Sequence, residues 1–277
     1  MSQMTAGNGS ETRVLLCGCG KMGSALLDGW LESGIGPDKI QIIEPFPSER
    51  LMSISNDRGL AVNPPVIRNP SVCVIAVKPQ SMDPVLEYLT GLNLRGTLIL
   101  SIAAGVRIAR FESAFSGGTP VIRAMPNTPA AIGLGITAII GNGNVDDRHL
   151  ATATMLLDAV GATVRVRSED DMDTVTAISG SGPAYVFLLI EALAEAGERR
   201  GLSEQMSLDL AMLTVFGAAT LASGSVRTPE QLRNDVTSPN GTTAAALGVL
   251  LEEGSGLPAL MERAVEAAEA RSRELGG

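Results

Sequence analysis

Up to about residue 166 the chain repeats one alternation: a short apolar run rich in β-branched residues, then a segment with helical spacing. Arg13-Val-Leu-Leu-Cys17 reads as a strand, followed by a glycine-rich turn and a helix from about Met22 to Glu32 carrying Ala25, Leu26 and Leu27. Ile40–Glu44, Val72–Val77, Thr97–Ile102, Val121–Ala124, Ile136–Ile140 and Ala162–Val166 read as further strands, and Ser48 is placed to cap a short helix. The unbroken apolar run Val72-Cys-Val-Ile-Ala-Val77 is what a parallel sheet covered on both faces requires. Strands separated by helical segments predict βαβ units and a mainly parallel sheet of Rossmann type.

The pattern changes near Arg167. From Asp170 onward no strand is predicted; Ala, Leu, Glu and Met dominate, punctuated at Gly201, Pro229, Pro239 and Pro258. Helices are expected at roughly 183–199, 203–222, 242–253 and 257–274. Tyr185-Val-Phe-Leu-Leu-Ile190 is apolar on every side, which predicts a helix buried all round. The reading is an α/β fold: a loose tail over 1–10, a Rossmann domain over 11–167, and an all-α bundle over 168–277 that finishes its core against another chain.

Composition narrows the function. Hydrophobic residues are 45% of 277, enough for a sizeable core, so wholesale disorder is excluded. Net charge is −9, which is no footprint for a nucleic-acid binder. His149 is the single histidine, so no metal centre is expected; its polar Asp146-Asp-Arg-His149 surroundings read as a solvated helix start. Cys17, Cys19 and Cys73 are an odd number in a long chain; they fit free thiols in a reducing cytoplasm, with Cys17 and Cys19 as small packing residues. Aromatics are 3%, so stacking platforms are not expected. The longest uncharged stretch, Leu210 to Val226, falls short of the ~20 residues of a spanning helix, so no membrane contact is expected.

Gly18-Cys-Gly-Lys-Met-Gly23 is G-x-G-x-x-G, directly after a strand and opening a helix. Gly18 permits the tight turn, Gly20 lets the backbone approach a pyrophosphate, and Gly23 lets helix and strand pack closely. Glu44 ends the second strand 21 positions beyond Gly23, where a carboxylate accepts hydrogen bonds from the ribose hydroxyls of NAD and repels the 2′-phosphate of NADP. The alternative is an acidic residue ending a surface strand. Arg50 nearby offers a phosphate partner, so the lean is to NADH with NADPH kept open. Ala76-Val77-Lys78-Pro79 and Ser101-Ile-Ala103-Ala104-Gly105 end two more strands, where the ligand crevice of an open sheet lies. Lys78 is either a ribose or phosphate contact or a solvated lysine.

Two segments mark the helical half. Ser179-Gly-Ser-Gly-Pro-Ala-Tyr185 is a crowded helix entry with Pro183 in the first turn. Asp235-Val-Thr-Ser-Pro-Asn-Gly-Thr-Thr243 sets four hydroxyls around a Pro-Asn-Gly turn; these either cap a helix or hold a substrate carboxylate and ring nitrogen.

With these motifs in hand, the chain resembles pyrroline-5-carboxylate reductase. The resemblance rests on Leu16–Gly23, Ala76-Val-Lys-Pro79, Ser101-Ile-Ala-Ala-Gly-Val106, Arg123-Ala-Met-Pro-Asn-Thr-Pro129, Ser179–Tyr185 and Ser238-Pro-Asn-Gly-Thr-Thr243, in the family's order from about residue 13 to 275. It implies reduction of the C=N bond of Δ1-pyrroline-5-carboxylate to L-proline by hydride from NADH or NADPH, the last step of proline biosynthesis. It also implies a swapped homodimer in which one subunit's helical domain completes the other's site, with dimers assembling further. By position, Cys17, Gly18, Cys19, Gly20, Lys21, Met22, Gly23, Glu44, Ala76, Val77, Lys78, Pro79, Ala103 and Ala104 would hold the cofactor, with Asn63 near the adenine-side ribose and Asp235 a further cofactor contact. Ser238, Gly241, Thr242, Thr243 and Glu169 would hold the substrate, the Thr243 hydroxyl serving the ring nitrogen as the catalytic group. Three features depart from the family's usual pattern: Asn240 in place of a glycine, the order Arg233-Asn-Asp235, and Glu44 where many relatives carry Ser, Thr or Asn. The rivals are an imine or hydroxyacid oxidoreductase with another substrate, and a non-catalytic dinucleotide-sensing dimer.

Overall fold

The computed structural model describes residues 12–115 and 117–276; the tail expected over 1–10 lies outside them. Eight strands form one sheet: β1 Val14–Cys17, β2 Ile40–Ile43, β3 Ala61–Val62, β4 Val72–Ile75, β5 Leu98–Ser101, β6 Val121–Met125, β7 Gly135–Gly141 and β8 Gly161–Arg165. Their spatial order is β3-β2-β1-β4-β5-β6-β7-β8, and every pairing is parallel except β6 with β7. Seven strands are those the sequence predicts. The two-residue β3 is too short to leave a periodic signal.

Helices α1 Lys21–Glu32, α2 Glu49–Arg58, α3 Met82–Thr90, α4 Ile108–Ala114 and α5 Asp147–Asp158 cover the sheet. Alternate residues of each strand feed two separate cores. Val14 and Leu16 of β1, with Ile40, Ile42, Val72 and Val74, pack beneath α1 and α5 around Trp30 and Leu156. Leu15 and Cys17, with Cys73 and Ile75, pack beneath α3 and α4 around Leu89 and Phe111. This period-two division between two buried faces is why the strands read as continuous apolar runs. Trp30 finds its one polar partner by donating from Nε1 to the Leu156 carbonyl at 2.8 Å.

Helix α5 begins with a capping box. The Asp146 carboxylate accepts from the His149 and Arg148 amides, and the Asp146 amide donates to His149 Nδ1. The His149 amide holds the Asp146 carboxyl below the usual carboxylate range. His149 is thus a helix-start residue, as its setting predicts.

The remaining helices are α6 Asp171–Val175, α7 Gly182–Glu198, α8 Glu204–Ser223, α9 Pro229–Asp235, α10 Thr242–Leu250 and α11 Leu257–Gly276, with a π-turn over Thr176–Gly180. Helix α9 is not among the helices the sequence pattern predicts, although Thr228-Pro-Glu-Gln231 is a capping box with Pro at the first helical position. The chain divides into two compact units. The sheet unit runs on to Gly180 and takes back the segment from Glu269, and the helical unit is Ser181–Ala268. Arg167 therefore marks where strands stop, whereas the sheet unit itself extends to Gly180. Within it, Ser272 donates to Asp173 Oδ1 at 2.7 Å and Thr174 to Glu269 at 2.6 Å, tying the last turns of α11 to α6.

In the helical unit α7 and α8 pack as a hairpin. Gly197 lets them approach, since a Cβ there would lie 2.8 Å from Ser207 Oγ. Phe187 and Leu188 are 59% and 63% exposed in the single chain, so the burial expected of this helix falls to the second chain against which the bundle is read to finish its core. Asp171–Glu198 and Glu204–Ser223 are also long and apolar enough to cross a membrane by length and composition. The charge-free stretch Leu210 to Val226 is shorter than either helix, since a span tolerates one or two charges.

Candidate active site

Strand order reverses between β1 and β4, and a doubly wound sheet opens its ligand crevice at the carboxyl ends of such a pair. A cleft of about 640 Å³ lies there, lined by Cys17, Gly18 and Gly20 after β1, Ile43, Glu44 and Phe46 after β2, and Ala76, Val77 and Lys78 after β4. That volume suits a cofactor-sized ligand.

The glycine turn is built by close contact. Gly18 takes φ +92°, and its amide donates to the Ile43 carbonyl at 2.9 Å, joining the ends of β1 and β2. Gly20 caps α1 without a side-chain hydrogen bond, and a Cβ on it would meet nothing within 4 Å. The first turn of α1 carries no acidic residue, so its positive end faces the turn uncompensated. An open flank at Gly20 and a free helix start are what a dinucleotide pyrophosphate needs, so the residues present fit such a cofactor.

Glu44 stands at the cleft with its carboxylate already held. Oε2 accepts from the Cys19 amide at 2.8 Å and Oε1 from the Phe46 amide at 3.0 Å. Asn63, in the left-handed region at φ 48°, clasps the same strand end. Its Oδ1 accepts from the Glu44 amide at 2.9 Å, and its Nδ2 donates to the Glu44 carbonyl at 2.8 Å. Asn63 therefore fixes the backbone from which Glu44 extends, and the Cys19 and Phe46 amides fix its carboxylate. Arg50, the phosphate partner considered nearby, pairs instead with Asp28 at 2.7 Å.

Phe46, 89% exposed, and Tyr88 both line the cleft, because a low aromatic count says nothing about where the few aromatics lie. Gln80, Ser81 and Val85 also line it, and no local sequence signal marks them. Of the expected contacts, Pro79 starts the short turn after Lys78, Lys21 is exposed at the start of α1, and Met22 packs at the edge of the first core. Ala103 is buried in the second core and Ala104 is exposed. Cys17 Sγ lies 3.9 Å from Cys73 Sγ. The bond to Cys17 and burial push the Cys73 thiol up, and burial does the same to Cys19. All three cysteines are free and buried.

Glu169 is spent on the fold of the sheet unit. Its Oε1 accepts from Arg123 Nη1 at 2.9 Å and from the Ile108 amide at 2.8 Å. Arg107 approaches its other oxygen at 3.8 Å and reaches Asp170 at 2.5 Å. The carboxylate thereby anchors the segment that follows Ala103–Gly105. The signal was Arg123 within an apolar strand, since a buried cation requires a carboxylate.

In the helical unit, Asp235 ends α9 and receives both arms of Arg227, with Nη2–Oδ1 at 2.8 Å. The turn beyond it holds Asn240 at φ 57°, so asparagine does take the left-handed position expected of a glycine. Gly241 donates to the Ser238 carbonyl at 3.0 Å, and a Cβ on Gly241 would strike Ser238 Oγ at 2.3 Å. Gly241 caps α10 with no side-chain hydrogen bond. The turn thus brings Ser238, Thr242 and Thr243 to one helix start, and among the described residues their hydroxyls cap nothing.

Residues 169–275 match the family model described as pyrroline-5-carboxylate reductase dimerisation, and residues 13–105 the model described as NADP oxidoreductase, coenzyme F420-dependent. A pyrroline-5-carboxylate reductase of Pseudomonas aeruginosa is 38% identical over 269 residues, covering 96% of this chain and 97% of its own. One from Synechocystis is 41% identical over 264 residues, covering 94% and 97%. The solved structure of a pyrroline-5-carboxylate reductase from Coxiella burnetii matches with a TM-score of 0.87 at 34% identity, covering 96% of this chain and 99% of its own. That of Plasmodium falciparum pyrroline carboxylate reductase with NADP bound matches at 0.81 and 30%, with the same coverage. A glycine turn at the strand-order reversal, a hydroxyl-rich helix start and full-length likeness at this identity converge, and the chain belongs to the pyrroline-5-carboxylate reductase family.

Proposed function

We propose that the protein reduces the C=N bond of Δ1-pyrroline-5-carboxylate to L-proline with hydride from NAD(P)H, the last step of proline biosynthesis. The observation that carries this reading is the open glycine turn at the head of the cleft, in a chain of this family. The nicotinamide cofactor, when bound, supplies the hydride. The α1 start and the Gly18–Gly20 backbone hold its pyrophosphate, Glu44 its adenine-side ribose, and Lys78 and Ala103–Ala104 lie along its path.

The substrate needs little acid catalysis, because a cyclic imine protonates readily and its iminium carbon accepts hydride. The free amides at the start of α10 bind its carboxylate, with Ser238, Gly241 and Thr242 shaping the turn. The Thr243 hydroxyl orients the ring nitrogen and relays its proton. Glu169 and Asp235, both taken by arginines, act by holding the local structure. The active form is a homodimer, with dimers assembling further, in which the helical unit of one copy serves the cleft of the other. The exposed apolar faces of α7 and α8 and the match to a dimerisation family support it. The free thiols Cys17, Cys19 and Cys73 suit a cytoplasmic location.

Oxidation of NADH followed at 340 nm with pyrroline-5-carboxylate, beside matched keto acids, tests the reaction; turnover of a keto acid alone would reassign it. Thr243→Ala is expected to lower kcat/KM about tenfold or more while dinucleotide affinity stays unchanged. Unaltered turnover would remove Thr243 from its role.

NADH is the preferred cofactor, because the Glu44 carboxylate at the cleft repels a 2′-phosphate. Glu44→Gln keeps an oxygen for the Cys19 amide and removes the charge. Its NADPH-to-NADH ratio of kcat/KM is expected to rise about tenfold. A parent enzyme already strongly favouring NADPH contradicts the assignment.

A further inference from the structure

A second polar cavity lies on the opposite edge of the sheet from the dinucleotide cleft. Strands β1, β2 and β4 run parallel with Val14 beside both Ile40 and Val72, so the residues just before them gather at one edge. Arg13, Lys39 and Arg68 are brought there, around a cavity of about 570 Å³ that Asp38, Asn69 and Ser71 complete. Among the described lining residues, the arginines Arg13 and Arg68 stand with Lys39 beside the single carboxylate of Asp38, in a chain of net charge −9. Among the described residues neither Arg13 nor Arg68 makes an ion pair.

Both arginines are held by their backbones. Ser71 Oγ accepts from the Arg13 amide at 3.0 Å and donates to the Arg13 carbonyl at 3.1 Å. Gln41, only 5% exposed, accepts from the Arg68 amide at 2.8 Å and donates to the Arg68 carbonyl at 3.3 Å. Each clasp fixes where a guanidinium begins and leaves its fork without a carboxylate. Two guanidinium forks at one cavity suit a group with several anionic oxygens, since a guanidinium pairs with phosphate through two parallel hydrogen bonds.

We propose that this cavity is a second ligand site, for a small molecule carrying a polyphosphate group. The volume admits a nucleotide-sized ligand. The Asp38 carboxylate and the Asn69 amide face whatever the phosphates are attached to, and suit hydroxyl or amino groups there.

The test uses the full-length enzyme with saturating NADH, so that the glycine cleft is filled, and titrates pyrophosphate and ADP separately by calorimetry. Binding of either probe is expected, weakened by raised salt. It should fall at least about tenfold in Arg13→Ala/Arg68→Ala. The double variant keeps both clasps, because they grip only backbone atoms, so its melting temperature and NADH affinity should match the parent. Arg200→Ala, a charge-matched change in the helical unit, should leave binding unaltered. Tighter ADP binding would identify a nucleotide as the ligand, and equal binding a bare polyphosphate. Undiminished binding in the double variant, no binding of either probe at millimolar concentration, or displacement of NADH by the probe overturns the proposal.

Discussion

Gly23→Ala is expected to lower the melting temperature by about 4–8 °C and to weaken dinucleotide binding at least tenfold. The Cβ it adds would sit 2.3 Å from the Gly18 carbonyl oxygen and 3.2 Å from its carbon. Neither atom belongs to a flexible side chain, so α1 must move off the end of β1. Overpacking of this kind costs about 1–3 kcal/mol, and it displaces the helix start that faces the phosphates. Gly20→Ala separates the two effects. Its Cβ meets nothing within 4 Å, so stability should hold while dinucleotide affinity falls, because the methyl group occupies the flank left open for the pyrophosphate. Thermal melts and fluorescence titrations with NADH read both quantities. A Gly23→Ala protein that melts with the parent would show that the turn has slack the structure denies.

Glu169→Gln is the second large effect, expected to cost about 3 kcal/mol or more of stability in chemical denaturation. The Arg123 side chain is 5% exposed, and Glu169 is its only carboxylate partner among the described residues. The amide keeps an acceptor for the Ile108 N–H and removes the charge, leaving a buried guanidinium uncompensated. Breaking one side of a buried pair is costly, whereas replacing both sides with apolar residues of similar size is often neutral. Glu169→Leu combined with Arg123→Met should therefore recover most of the loss. A double variant as unstable as the single one would mean that packing, rather than charge, sets the cost.

The glycine turn, Glu44 and the ends of the apolar strands were legible because each requirement is local: a backbone angle, a helix start, a carboxylate a fixed distance along the chain. Asn240, which stands where the family's pattern has a glycine, adopts a left-handed backbone because its short polar side chain tolerates it. Phe46 and Tyr88 escaped notice because their place at the cleft comes from α3 and the β2 end meeting in space. The grip of Asn63 on Glu44 emerges only when β3 pairs with β2 and brings the two side by side.

The sequence by itself determined the parallel sheet, the dinucleotide turn and the hydroxyl-rich helix start, because periodicity and turn chemistry are properties of neighbours in the chain. Only the tertiary structure decided what Glu169 does, how far the sheet unit extends, and that three cations meet at the far edge of the sheet. Those depend on strand order and register, which unite residues up to about a hundred positions apart and which no local pattern encodes.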